Sequence, residues 1–575
     1  MNFPVSKRPP RPNPAAPKVE ERQLLSPRAF SIAAVCAAAA IFAVYRATLN
    51  FQFILDDHRF LGDPRIQMSG HSWEYFSNYV WAQFTGGPPS FYRPLFLLWL
   101  RLNSILLEMS SWGWHLLSIA KHVAAAALLG WLTWKLLSNR AAAVLAATLF
   151  ALHPAQAESV PWVTVPDPLM AAAVFVTLLL YLKYVEDPPA VLEIKKKPRK
   201  AQPMLVEHSP GWLIASAAAC FAALLTKETA IVLPAMIFVL ALLAPDGDLQ
   251  NGANQNRNYT ARLGRALRHT TLFIVVTGVY LLLRFHALGG TIGANTQHLP
   301  LSMVLLSLPA TLLFYVKVLL WPVRSYAFAD PTLVEGFSVR EILLPGFAIA
   351  CFAAVVAVLC GWAWREAARN RLPEEAMRIK YALLISVLLL VLPILPALNL
   401  NALNPGDFLH GRYVYLPSAG FMLLLVTCWH LTGKARVPLI GAAAVVAVLF
   451  AILTMAQQKQ WKDDLTVFTV AHELAPHNGP VAQHLADAHV QQALQLADEG
   501  RCSEVLPVFQ QVTQQYPQDW FAWAGLGECF VQLENLPKAE DALHRAADLS
   551  HDSRVIEQWQ ELRAHMGLPN TASPN

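Results

Sequence analysis

Charged residues are scarce in this chain, and cysteines at metal-binding spacings are missing. Only 14% of its 575 residues are Asp, Glu, Lys or Arg, while 55% are apolar. A water-soluble domain carries nearer a quarter of charged residues, so most of this chain has lipid for its solvent. The seven cysteines include no closely spaced pair of the kind that binds zinc. Cys36, Cys220, Cys351, Cys360 and Cys428 sit in apolar runs as small core residues. Cys502 and Cys529 stand in what is read below as an extracytoplasmic region, where a disulfide is open to them but not dictated by their spacing.

Apolar runs of roughly 16 to 25 residues recur, the length a hydrocarbon core asks of a helix. They lie near 29–48, 112–137, 140–154, 166–184, 211–226, 229–245, 269–285, 341–364, 380–398, 413–432 and 437–456, which predicts about eleven spans. Lys and Arg collect in the N-terminal tail and in the loops 185–210, 246–268, 365–380 and 433–437. All five fall on one side of an eleven-span path, which makes that side cytoplasmic. Tail 1–28 is then inside, and loops 49–111, 286–340 and 399–412 face outward with everything after 456. The net charge of +5 thus reports topology and gives no reason to expect nucleic acid. Residues 301–322 are apolar enough to cross, but a crossing there would put the basic 365–380 loop outside. They are expected instead, with Tyr92–Leu107, to lie at the outer membrane face.

Past residue 456 the composition becomes that of a soluble domain. Trp523, Leu526, Gly527, Phe530, Ala539, Leu543 and Ala546 fit the tetratricopeptide template, in which small residues let two antiparallel helices close. An earlier unit shows Ala493, Leu496, Gly500, Phe509 and Pro517, preceded by a half repeat at Phe468, Ala471 and Pro476. The Pro476-to-Pro517 spacing exceeds the roughly 34-residue repeat by about seven, so the first full unit carries an insertion in its opening helix or loop. So few repeats do not make a self-sufficient solenoid, and the module is expected to lean on the membrane domain.

Among the outward-facing residues, the pair Asp56-Asp57 follows the first span. Two carboxylates held at a bilayer surface suit general base chemistry or a cation, and helix capping is the plainer use. Adjacent side chains point in different directions, so the sequence does not decide between them. His153 and Glu158 end a short span; a continuous helix would part them by about 140°, but Pro154 and Pro161 break it and allow them to converge. Arg412 stands at the mouth of a span, where it pairs with an anion or snorkels beside Tyr413 and Tyr415. Lys227 either meets a phosphate or neutralises its neighbour Glu228, and Arg93 and Arg324 are weaker phosphate candidates. A divalent cation is left open, because no ligand spacing singles one out.

Taken in order, Asp56-Asp57, the run Tyr92-Arg93-Pro94-Leu95, Trp114-His115 with His122, the stretch from Leu149 through His153 to Glu158, Thr226-Lys227-Glu228-Thr229, Arg412 through Ser418 and then repeats resemble one family. It is that of the transmembrane and tetratricopeptide repeat-containing O-mannosyltransferases, within the GT-C class of glycosyltransferases that use polyprenyl-phosphate sugars. The resemblance covers about residues 50–550. It implies an all-α integral membrane protein with a GT-C-like multi-span domain over 29–456 and repeats over 457–575. It implies transfer of a sugar, mannose in the family, from a polyprenyl-phosphate-linked donor to an acceptor hydroxyl on the outer side, with repeats that dock the acceptor protein. Under it Asp56 or Asp57 is the base, His153, Glu158 and Asp167 support the site, and Arg412, Lys227, Arg93 and Arg324 face the donor phosphate. Relatives usually carry Gly-Arg-Lys-Asp where this chain has Val165-Pro166-Asp167-Pro168, which keeps only Asp167. The implied setting is a cytoplasmic (inner) membrane with the repeats periplasmic. A rival of another class is a non-catalytic scaffold whose repeats recruit envelope proteins; it needs none of the charges gathered at one membrane face.

Overall fold

The computed structural model describes residues 24–68, 73–83, 91–186, 210–243, 259–290, 299–323, 333–402, 409–550 and 553–569. Helices α1 (Pro27–Tyr45), α2 (Pro94–Leu107), α3 (Ser111–Leu137), α4 (Arg140–Leu152), α5 (Asp167–Glu186), α6 (Pro210–Thr226) and α7 (Leu233–Leu242) come first. They are followed by α8 (Tyr259–Ala287), α9 (Leu301–Leu320), α10 (Leu344–Asn370), α11 (Pro373–Val391), α12 (Tyr415–Leu431) and α13 (Arg436–Gln457). Among the described residues nine helical stretches are long and apolar enough to cross a membrane. Eight coincide with expected spans; the other is Leu301–Leu320, while Arg140–Leu152, Pro210–Thr226 and Glu228–Leu242 are shorter apolar helices. The chain is an integral membrane protein.

Contacts between helix ends sort the bundle into two ends. At one, Arg140 donates to Leu25 O, Asn139 meets His430, Lys135 pairs with Glu186 and Lys380 donates to Leu243 O. At the other, Tyr45 donates to Ala151 O, Thr454 to Leu152 O, and Lys227 pairs with Asp167. The described basic residues of 365–380 and 433–436 gather at the first end, and the first loop with its two aspartates lies at the second. Helix α9 is tied to the second end twice, since Leu299 N donates to Asn401 Oδ1 at 2.8 Å and His153 Nε2 meets Leu319 O at 3.0 Å. A helix of spanning length therefore runs across that end of the bundle.

Local chemistry sets these boundaries. Ser26 and Asn139 cap α1 and α4 with side-chain oxygens, and Pro27, Pro94, Pro210 and Pro373 open their helices at the first turn, where no amide hydrogen is needed. Helices α11 and α12 pack backbone to backbone at Gly420. A Cβ there would stand 2.5 Å from Ser386 O and 2.6 Å from Leu390 N, so only glycine fits.

Six helices follow: α14 (Asp464–Leu474), α15 (Gly479–Asp498), α16 (Cys502–Gln515), α17 (Trp520–Gln532), α18 (Leu536–Ser550) and α19 (Ser553–His565). The additional seven residues of the first full unit lie in its opening helix, as α15 has 20 residues where α17 has 13. A Cβ on Gly527 would meet the Leu543 side chain at 2.6 Å, which is the close helix approach the template demands. Cys502 and Cys529 are joined in a disulfide, with Cα atoms 5.0 Å apart. The module does lean on the membrane domain: Ile54, Trp162 and Val165 share a core with Trp461, Phe468 and Val481.

Candidate active site at one end of the bundle

The first loop is held in an unusual conformation just before its two aspartates. Leu55 has φ 54° and ψ −126°, a region that costs a non-glycine residue about 1–3 kcal/mol and persists only where its surroundings impose it. They do so from both sides. Leu55 N donates to Asp464 Oδ1 at 2.8 Å, and Ile54 N to Asp57 Oδ2 at 3.1 Å. Asp57 is wholly buried and takes two further bonds on Oδ1, from Thr164 N at 3.0 Å and Thr164 Oγ1 at 2.6 Å. Burial pushes its carboxyl up to about 7, against these three bonds, which favour the ionised form. Asp56 points the other way and lines a cavity of about 1160 Å³ between the first loop and the repeats.

At the same end of the bundle four cations converge from four helix ends. Lys227, following α6, holds both oxygens of Asp167 at 2.6 and 2.7 Å, and both side chains are buried. Burial holds the Lys227 ammonium below its ordinary range, with Arg412 and Arg93 acting in the same sense and Asp167 opposing them. Arg93, at the start of α2, lays its fork on Glu228, with Nη2 2.9 Å from Oε2, and Arg284 of α8 reaches the same carboxylate at 3.6 Å. Burial would raise the Glu228 carboxyl, but these two arginines keep it below the usual range. Arg412 donates its backbone N–H to Glu158 Oε2 at 3.0 Å and brings Nη1 within 3.4 Å of Oε1. His410 Nδ1 lies 2.8 Å from that same oxygen. The Arg412 guanidinium lies over the Trp162 ring at 4.4 Å, and Tyr413 stands under both Arg412 and Lys227. Four cations gathered at one end of the bundle, two of them against one tyrosine, suit an anion with several oxygens.

Glu158, Asp167, Lys227, Arg93 and Arg412 are thus brought together. His153 is not: its Nδ1 accepts from Ala155 N and its Nε2 donates to Leu319 O, so it ties the chain after α4 to α9 and does not meet Glu158. Lys227 and Glu228 do not neutralise each other; each takes its partner from another helix. Arg324 lies outside the described residues. Sequence reading passed over Arg284, His410, Trp162 and Asp464. Arg284 carried the same signal as Arg412, a charge at the outer end of a span, whereas the other three are defined only by tertiary contacts. Among the described residues no group of three or more His, Cys, Asp or Glu is placed to hold a metal ion.

Comparison with known proteins agrees with the resemblance read from the motifs. The tetratricopeptide repeat family matches residues 496–565. Protein O-mannosyl-transferase TMTC1 of Mus musculus is 24% identical over 86% of this chain and 59% of its own length. Protein O-mannosyl-transferase Tmtc1 of Drosophila melanogaster is 25% identical over 77% of this chain and 57% of its own. The chain therefore spans less than two thirds of the length of these relatives. Among solved structures, archaeal oligosaccharyltransferase AglB from Archaeoglobus fulgidus, in complex with an inhibitory peptide and a dolichol-phosphate, is similar at a TM-score of 0.41. It is 13% identical, over 79% of this chain and 59% of that one, a likeness too weak to carry an argument.

Proposed function

We propose that this chain is a membrane glycosyltransferase that passes a sugar, mannose by analogy with its relatives, from a polyprenyl-phosphate-linked donor to a hydroxyl of an acceptor protein. The observation that carries this reading is the convergence of Arg93, Lys227, Arg284 and Arg412 at one end of the bundle, beside a cavity lined by Asp56. Charges at span ends are costly to hold, and a scaffold has no use for them. A lipid phosphate reaching them from the bilayer surface would meet both charge and directed N–H groups.

In this reading Asp56 is the base and Asp57 the anchor of its loop. The acceptor oxygen attacks the anomeric carbon, its proton passes to Asp56, and the bond from that carbon to the phosphate oxygen breaks. Negative charge then grows on the departing polyprenyl phosphate, where Arg412, Lys227 and their neighbours are already oriented. The site lies on the non-cytoplasmic face of a cytoplasmic membrane, with the N-terminus inside. The basic residues at the opposite end of the bundle support that orientation, and so does the Cys502–Cys529 disulfide.

The test is turnover of purified polyprenyl-phosphate mannose by the purified protein in lipid discs, with wild type set against Asp56→Asn. Donor binding with Asp56-dependent loss of mannose from the lipid is the expected result. Neither binding nor turnover would leave the scaffold reading in its place.

A further inference from the structure

The cavity beside Asp56 has a chemistry of its own. Its floor is the first loop with Trp162, and its far wall is built from α15, the end of α16 and the start of α17. At about 1160 Å³ it exceeds the roughly 300–1000 Å³ of small-molecule pockets, so it suits a stretch of polymer. Seven glutamines line it, on both the floor and the wall. Each amide can donate and accept together, which matches the alternating groups of an extended polypeptide backbone. The lining also holds five aspartates against a single arginine, Arg59, and no lysine or glutamate.

Those aspartates are not all spent on the fold. Asp463 caps α14 and Asp464 holds the first loop through Leu55 and His58. Asp487, midway along α15, faces the exposed His484 at 3.6 Å and is itself 46% exposed. Asp519 lines the same cavity while capping α17, where it accepts from Ala522 N at 3.1 Å, and the like charge of Asp487 adds to the effect of burial there. A cation entering between these two carboxylates would relieve their repulsion. In the floor of the cavity, Trp162 also supports Arg412, whose guanidinium lies 4.4 Å over its ring.

We propose that the cavity binds an extended polypeptide segment carrying lysine or arginine side chains near the hydroxyl to be modified. The glutamines hold its backbone, Asp487 and Asp519 select its basic side chains, and the segment runs toward Asp56. The identity of the reacting atom rests on the transferase reading; the binding does not.

Binding is therefore measured without donor. Full-length protein in detergent is titrated with a fluorescent serine- and threonine-rich peptide bearing lysines, and with a matched peptide bearing glutamates, and anisotropy is recorded. The lysine peptide should bind about tenfold tighter at low salt, the combined effect of two or three half-exposed ion pairs, and the gap should shrink as salt rises. Asp487→Lys, at a position 46% exposed, should remove most of that preference without moving the melting temperature. Equal binding of the two peptides, or a preference that survives Asp487→Lys, would overturn the proposal. Displacement of the lysine peptide by a neutral oligosaccharide would also overturn it and assign the cavity to a glycan. Charge-selective peptide binding in a protein that turns over no lipid-linked sugar would uphold this proposal while the transferase reading fell.

Discussion

Trp162 stacks on Trp461 with ring centroids 5.9 Å apart and planes inclined by 22°, while the Arg412 guanidinium lies over the Trp162 ring at 4.4 Å. Trp461 is fully buried where α13 leads into the repeats. The root of the repeat module is thereby part of the support for Arg412.

Arg412→Ala should weaken binding of a fluorescent polyprenyl phosphate by roughly 10–100-fold, the range expected for loss of one charge-assisted contact. Trp162→Leu keeps the guanidinium but removes its platform, and should cost a smaller part of the same affinity, on the order of 1 kcal/mol. An affinity unchanged by both variants would place the donor phosphate elsewhere. Lys227→Met is a different case. It leaves Asp167 buried without its partner and should lower stability by about 3–5 kcal/mol, seen as early thermal unfolding.

The two adjacent aspartates should separate cleanly. Asp56→Asn is expected to reduce transfer by about 10²–10⁴-fold with donor affinity intact. Asp57→Asn should act on stability and on its pH dependence. The unfolded carboxyl ionises near 3.8 and the folded one near 7, so between those values the folded protein keeps a proton that the unfolded chain has lost. Stability therefore falls as pH rises through that window and is level above it. Melting curves across the window should show this slope in wild type and lose it in Asp57→Asn; an identical slope in both would remove Asp57 as its source.

The first loop is joined to the repeats by His58, whose Nε2 lies 2.9 Å from Asp464 Oδ2. The hydrogen bond to Asp464 raises the imidazole above its usual 6.5. The contact is therefore complete below that value and lost as pH climbs through the raised one. Trypsin should accordingly cut the 457–464 junction faster at alkaline pH. Rates are taken relative to cleavage of an unstructured peptide at each pH; His58→Gln should remove the pH dependence of that ratio, and a wild-type ratio that does not change would count against the contact.

The helices were legible because a hydrocarbon core imposes its length on the sequence locally, and the repeats because Gly527 and Ala539 must be small wherever two such helices close. The site was legible only as a set. Charge at a span end marked Lys227 and Arg412, and the family resemblance added Glu158 and Asp167, but partner choice depends on helices distant in sequence. Lys227 thus pairs with Asp167, 60 residues away, and not with the adjacent Glu228. The partners of His153 were hidden for the same reason: a histidine at the end of a short span reads alike whether it meets Glu158 or, as here, tethers α9.

Arg93, Arg284, Arg412 and Lys227 each have a carboxylate beside them. On the transferase reading, an arriving donor phosphate would therefore take the place of a resident anion, and its departure would let that anion return. Affinity would then be a difference between two similar contacts, moderate in spite of the local charge density. A spent lipid carrier would exchange readily, and product inhibition by polyprenyl phosphate would be weak.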